Sequence, residues 1–379
     1  MTHPSATPYL PFARPEIDEE TIAGVADVLR SGWLASGPRV AEFEGALGEY
    51  LGGATVRAVS SGTAALEIAL RVAGVAPGDE VVTPALSFVA TANAILKVGA
   101  RPIFVDVDLD TRNLDLARIE QAISTRTKAL LPVHFAGLAV DLPRLYAIAE
   151  THQLRVVEDA AHAIGARSRN ARIGSRGDLV AFSFHPNKNM TSIEGGALAI
   201  ARPDDVRAVE RLRFHGIERT PSGDVDLVAC GGKFNLSDVA ARVGLGQLRR
   251  LEEFNARRRA LAERYLARLR TDPPMRLPAS GEGHAWHLFA PLLPLGDLRC
   301  TRRQFIQAMH ERGIGVGIHY PALHTLTLYR ALGGAEGQCP NAERVGRSTV
   351  TLPLFPSMTF DDVDRVCDAA RDVIASSQR

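Results

Sequence analysis

Between residues 55 and 201 the chain alternates short apolar runs with longer amphipathic ones. TVRAVS (55–60), EVVTP (80–84), RPIFVDV (101–107), KALLPVH (128–134), LRVVED (154–159), LVAFSF (179–184) and GALAIA (196–201) read as strands. TAALEIALRVAG (63–74), FVATANAILKVG (88–99), LARIEQAIS (116–124) and LPRLYAIAETH (142–152) read as helices between them. Strands separated by helices predict a mainly parallel sheet covered on both faces. Ligands of such sheets bind outside the carboxyl ends of the strands. The residues directly after each strand are therefore where chemistry is sought.

From about Leu236 the pattern changes. LSDVAARVGLGQLRRLEEFNARRRALAERYLARL is one long helical stretch, rich in Arg and Glu. Beyond it, HAWHLFAPLLPL and IGVGIHY read as strands. TRRQFIQAMHERG reads as a helix, and a last helix starts near Asp361. That is a smaller α+β unit. The division is a large domain over residues 1–250 and a small one over 251–379.

A length of 379 residues suits two or three domains. Hydrophobic residues at 46% and charged residues at 23% are the balance of a soluble globular protein. Lys and Arg number 44 against 43 Asp and Glu, a net charge of +1, which excludes the basic field of a nucleic-acid binder. Cys230, Cys300, Cys339 and Cys367 lie far apart and form neither a zinc nor a redox motif. They read as isolated thiols of a reducing compartment. MTHPSATPYLPFARPE lacks the apolar core of a secretory leader, and no run of about 18 apolar residues spans a membrane. The expectation is a cytoplasmic protein with no metal, no nucleic-acid partner and no membrane partner.

Ser61, Gly62 and Thr63 follow one strand and open a helix. Free amides and the positive dipole end there suit a phosphate, with Gly62 allowing close approach. Simple helix capping is the other reading. Neither G-x-G-x-x-G nor G-x-x-x-x-G-K-[ST] occurs at this helix start, which argues against dinucleotide and P-loop sites. Glu158 and Asp159 end another strand and point to opposite faces, so one of them enters a site. Asp159 either pairs with His162 or caps a helix. Lys188 follows FSFHPN and is either a solvated lysine or a Schiff-base nucleophile. Phe88 follows a third strand and either packs in the core or offers its face to a ring. His284 and His287, three apart in a strand, would face opposite sides and hold no metal together. Together, a lysine, an acid, a helix N-terminus and an aromatic face are what pyridoxal phosphate (PLP) requires.

SSGTAAL, TPALSFVATANAILKVGARPIFVDVD, PVHFAG, VVEDAAHAIGA, FSFHPNKN with EGG, RFHGI and KFNLSDVAARVGLGQL occur in one order. In this the chain resembles the DegT-type sugar aminotransferases of the fold-type I PLP superfamily, from SGWLASGP (31–38) to LPLFPSMT (352–359). The resemblance implies a seven-stranded, mostly parallel sheet between helices plus a small C-terminal α+β domain. It implies that Lys188 carries the cofactor, Asp159 meets the pyridine nitrogen and Phe88 stacks on the ring. Gly62, Thr63 and Ser183 then hold the phosphate, His162 lies near the ring, and Asn235 reaches the neighbouring subunit's site. Trp33, His215, Lys233, His319 and His324 are the candidate substrate contacts. A lysine rather than a histidine at 188 implies transamination rather than dehydration.

The implied partners are a second copy in a homodimer with shared sites, a nucleotide sugar, and glutamate with 2-oxoglutarate. The implied reaction aminates a nucleotide-linked 4-keto sugar. In LPFARP, SGWLASGP, HAWHLF, ERGIGVGIHYPALHT and LPLFPSMT the chain resembles the members of this family that act on a UDP-4-keto-pentose, which implies 4-amino-4-deoxy-L-arabinose for lipid A and lipopolysaccharide as the product. A 4-keto-6-deoxyhexose is the alternative sugar. A non-catalytic regulator on the same scaffold is the rival of another class, opposed by the presence of Lys188 and Asp159. A dehydrogenase is opposed by the missing glycine fingerprint.

Overall fold

The computed structural model describes residues 8–271 and 273–379. The leader reading at the N-terminus rests partly on residues 1–7, which lie outside the described residues. Two helices, α1 (Glu19–Ser31) and α2 (Pro38–Tyr50), precede the sheet. The sheet strands are β1 (Thr55–Val59), β2 (Glu80–Pro84), β3 (Arg101–Val105), β4 (Thr127–Leu130), β5 (Arg155–Asp159), β8 (Leu179–Ser183) and β9 (Gly196–Ile200). A small hairpin, β6 (Arg167–Ser168) and β7 (Ala171–Arg172), stands between β5 and β8. The order is β1-β9-β8-β5-β4-β2-β3. Only β9 runs against the others, pairing antiparallel with both β1 and β8. The carboxyl ends of the remaining six strands therefore share one edge.

The helices α3 (Gly62–Val72), α4 (Val89–Lys97), α5 (Ile119–Ala122), α6 (Leu142–Thr151) and α7 (Pro203–Arg213) connect these strands. All five residues of β2 and of β9 are buried, as in strands covered on both faces. On α3 the apolar residues Leu66, Ile68, Ala69 and Leu70 pack against β5, β8 and β9. LARIEQAIS was expected to be a full helix but forms only the single turn α5. Ser124 ends it: its amide donates to Thr127 Oγ1 and its hydroxyl to Glu80. Such local side-chain bonds divert the backbone from a helix.

After a second hairpin, β10 (Ile217–Arg219) with β11 (Val225–Leu227), comes α8 (Asp238–Leu269), capped by Ser237 Oγ on the Ala240 amide. Its 32 residues span about 48 Å. Along it Leu251 packs with the sheet core, whereas Leu261, Tyr265 and Leu269 join a second core. That core is completed by α9 (Arg302–Glu311) and the last helix, α12 (Phe360–Ala375). Between them lie α10 (Thr327–Ala331) and α11 (Pro340–Ser348).

The strands expected in HAWHLFAPLLPL and IGVGIHY are reduced to isolated bridges, Phe289 with Leu352, Leu292 with Thr349 and Gly317 with Thr351. Pro291 and Pro294 cannot donate to a ladder. The buried Arg258 guanidinium of α8 also donates to the carbonyls of Trp286, His287 and Leu354, at 3.5, 3.3 and 2.7 Å. An arginine thus takes the place of a neighbouring strand.

Candidate active site

The loops at the shared strand edge enclose a cavity of about 230 Å³. Its wall takes Gly62 and Thr63 from the start of α3, Phe88 and Thr91 from α4, Asp159 from β5, Ser183 from β8, and Lys188. His162, His319 and Tyr320 close the other side. Seven of the residues read from the sequence as catalytic or cofactor-binding thus share one space, among them Lys188, Asp159 and Phe88.

At one end is the N-terminus of α3. Ser61 Oγ accepts from the Ala64 amide at 3.1 Å, so the helix is capped. The first amides of the helix lack intrahelical acceptors and face the cavity with the positive dipole end. Capping and anion binding are therefore compatible here. A Cβ added at Gly62 would lie 2.8 Å from Ser183 Cβ, and one at Gly196 would lie 2.6 Å from the Gly62 nitrogen. Both glycines are needed for β8, β9 and α3 to meet this closely.

At the other end is Asp159, 5% exposed. Oδ2 accepts from Thr91 Oγ1 at 2.7 Å and Oδ1 from the Ala161 amide at 3.1 Å. Burial raises its pKa, and these two bonds with the Lys188 charge oppose that rise. The expected pair of Asp159 with His162 does not form, and turns rather than a helix follow β5, so Asp159 is no helix cap. The imidazole instead accepts the Ala136 amide on Nδ1 (3.3 Å), which leaves its proton on Nε2 facing the Tyr320 hydroxyl at 3.2 Å. Burial holds His162 neutral, its pKa well below 6.5.

Lys188 is partly exposed, yet dense protein around its amine lowers the pKa from 10.5 to about 8, against the opposing pull of Asp159. Its loop is pinned from behind. Asn189 donates to Asn255 Oδ1 of α8 and to the Ala285 carbonyl, both at 2.7 Å. Its own Oδ1 meets His287 Nδ1 at 3.1 Å. His287 lies against His162, with ring centroids 4.4 Å apart, while His284 stacks on Trp286. Among the described residues no group of three or more metal-ligating side chains exists.

The other candidates separate. Phe88 is 53% exposed at the start of α4, its ring 5.8 Å from Tyr320. His319 lines the cavity, bonded through Nδ1 to Thr351 Oγ1 at 2.9 Å, with its pKa lowered to about 4 by burial and the Lys188 charge. His324, read as a substrate contact, is instead fully buried outside the cavity. Its Nε2 meets Glu343 at 3.0 Å and anchors a loop to α11. Asn235, Lys233, His215 and Trp33 also lie outside this chain's cavity. Asn235 bonds Lys233 Nζ and Ser36 Oγ, both at 2.6 Å. Lys233 sits 4.5 Å over the Phe214 ring, and His215 meets that ring edge-on. Trp33 is 60% exposed.

Sequence reading missed Thr91 and Tyr320. Thr91 sits three residues after Phe88, one helical turn on, a spacing that could have flagged it. Tyr320 carries no signal beyond adjacency to His319.

The residues present fit PLP. An anion seat lies at the start of α3. The Asp159 carboxylate, buried and held by two donors, has no cation in hydrogen-bond contact, as suits a protonated ring nitrogen. A primary amine of lowered pKa suits an aldehyde.

A model of the DegT/DnrJ/EryC1/StrS aminotransferase family matches residues 15–371. The chain is similar to the putative sugar aminotransferase Spr1654 from Streptococcus pneumoniae, solved in PLP and PMP forms. Against the PLP form the TM-score is 0.92 at 33% identity, covering 97% of this chain and 99% of that one. Helicobacter pylori PseC, an aminotransferase involved in pseudoaminic acid biosynthesis, gives 0.92 at 27% identity, covering 98% and 100%. The sugar aminotransferase CalS13 from Micromonospora echinospora gives 0.87 at 30%, covering 96% and 99%.

Proposed function

Because this chain belongs to the DegT/DnrJ/EryC1/StrS aminotransferase family and is a PLP-dependent sugar aminotransferase, we propose that Lys188 carries its cofactor and that its acceptor is a UDP-linked 4-keto-pentose. Glutamate is the donor, and the product is UDP-4-amino-4-deoxy-L-arabinose, made in the cytoplasm for lipid A modification. The observation that carries the assignment of the site is that Lys188, Asp159 and the Gly62–Thr63 end of α3 line one cavity. The choice of sugar rests on the LPFARP, HAWHLF and IGVGIHYPALHT segments.

Bound PLP supplies a carbonyl for primary amines and an electron-poor ring that stabilises negative charge on the adjacent carbon. The protein's residues do the rest. Gly62, Thr63 and Ser183 seat the phosphate. Asp159, favoured as an anion by Thr91, the Ala161 amide and the Lys188 charge, would hold the ring nitrogen protonated. Phe88 covers one face of the ring. Lys188, whose amine has its pKa lowered to about 8, would hold the cofactor's carbonyl carbon with loss of water, and once displaced by the donor amine would take and return a proton at Nζ. Neutral His319, whose Nδ1 meets Thr351, would offer its other ring nitrogen to substrate without a competing charge, while neutral His162 holds the Tyr320 hydroxyl.

Asn235, Lys233, His215 and Trp33 form a polar and aromatic edge outside this chain's own cavity. In this reading they complete the site of the second subunit of a homodimer. Residues 1–250 form the cofactor domain and 251–379 the small domain, with α8 shared between them. The test is turnover of purified protein with glutamate against a panel of UDP- and dTDP-linked 4-keto sugars. Preference for the UDP-4-keto-pentose supports the reading. Turnover confined to a 4-keto-6-deoxyhexose replaces the pentose, and loss of all transamination in every case rejects the assignment.

A further inference from the structure

A second cleft, of about 770 Å³, shares no lining residue with the Lys188 cavity. It opens between the β6–β7 hairpin, the end of α2 and the start of α6. Four arginines line it, Arg167, Arg169, Arg172 and Arg176, with Glu158 as the single lining carboxylate. Glu158 is fully buried and already occupied, Oε1 by the Tyr146 hydroxyl at 2.7 Å and Oε2 by His134 Nε2 at 2.8 Å.

The hairpin is built against local preference. Arg167 and Arg172 stand directly opposite each other across its two strands, and like charges so placed repel. Arg169 at its tip adopts φ 52°, a left-handed backbone that suits Gly or Asn. Arg169 and Arg176 are exposed and form no ion pair among the described residues. Arg172 is held by Glu252 at 2.9 Å and covers the Tyr50 ring at 4.3 Å, yet its Nε–H is buried without a partner. Glu252 offsets only part of this positive charge, and sites that break local rules are where a ligand is sought.

We infer that this cleft binds a pyrophosphate-bearing small molecule through Arg167, Arg169, Arg172 and Arg176, as a site separate from the sugar-aminating cavity. Planar guanidinium groups match phosphate oxygens two at a time. A polyanionic ligand would add to the single carboxylate, Glu252, that is set against Arg172 and Arg167, and the cleft has room for more than one phosphate. The chemistry is common to free inorganic pyrophosphate and to a nucleoside diphosphate.

The experiment titrates pyrophosphate, and separately UDP, into holoenzyme by calorimetry, for wild type and for the double variant Arg169→Gly/Arg176→Ser. Wild type should show a saturable site whose affinity falls by about tenfold or more in the variant, for the loss of two charged donors. Transamination constants should be the same in both proteins, which separates this site from the Lys188 cavity. Arg169→Gly alone should raise the melting temperature while weakening binding. A merely structural arginine would not give that combination. Only the part of each titration that the double variant loses belongs to this cleft, since UDP also enters the Lys188 cavity; in that part, tighter UDP than pyrophosphate binding identifies a nucleotide ligand, and equal binding identifies the inorganic group. Indistinguishable titrations of wild type and double variant, or weakened binding that appears only with a lowered melting temperature, overturn the proposal.

Discussion

A primary amine and a carboxylate share one small cavity, and each shifts the other's proton affinity. Desolvation lowers Lys188 to about 8, and Asp159 resists that fall. The amine must lose its proton to attack a carbonyl, so PLP uptake by the apoenzyme, followed in the visible spectrum, should accelerate as pH rises through about 8. Asp159→Asn removes the resisting charge, so the midpoint should move to lower pH even as transamination falls. An unmoved midpoint would detach Asp159 from the amine. Lys188→Ala should leave a folded protein with no borohydride-reducible cofactor and turnover lower by many orders of magnitude. Thr91→Val removes the donor to Asp159 Oδ2. A bond to a charged group contributes about 1.5–3 kcal/mol, so PLP affinity should drop by at least about tenfold, with Thr91→Ser restoring most of it. Measured equal affinities would make Thr91 a bystander.

At the scale of elements, α3 and α8 each carry a local decision with a site-wide consequence. Ser61→Ala should cost about 1 kcal/mol in denaturant unfolding, the usual loss for an N-cap. On α8, Arg258→Met keeps the volume but leaves the carbonyls of Trp286, His287 and Leu354 without their donor. The cost should be roughly 2–4 kcal/mol, and His287, behind Lys188 through Asn189, should move with it. An unchanged unfolding midpoint would mean that those carbonyls find other partners. Elements with strong periodicity were legible. The seven sheet strands, α3, α4, α6, α8, α9 and α12 all lie where the apolar pattern puts them, within a few residues. LARIEQAIS was misread because Ser124 and Thr127 form a side-chain turn that apolar spacing does not record.

For the whole molecule, the test concerns the site shared between subunits. Lys188→Ala and Asn235→Glu are each expected to be inactive alone, the second by repelling phosphate. In a mixed dimer one site carries both lesions and the other carries neither, so up to about half the activity per mixed dimer should return after subunit exchange. A fully active monomer in sedimentation, or no recovery despite proven exchange, would sink the shared-site reading. Lys188 would keep its assignment, which rests on other residues.

The apolar alternation by itself determined the layering of this protein and therefore which residues follow strands. Gly62, Thr63, Asp159 and Lys188 could be singled out for that reason, because a parallel sheet brings its strand ends to one edge, whereas Ser183 came only through the family resemblance. What the tertiary structure alone decided are the partners. Asp159 takes Thr91 rather than His162, and His162 takes Tyr320, from a segment 158 residues away. His324, so close in sequence to His319, turns into the interior toward Glu343. The strands expected over 284–295 and 314–320 give way to isolated bridges near Arg258. Periodicity reports which face of an element is buried. It does not report which distant side chain meets a buried polar atom, because that choice is made by packing and hydrogen-bond satisfaction across the folded chain.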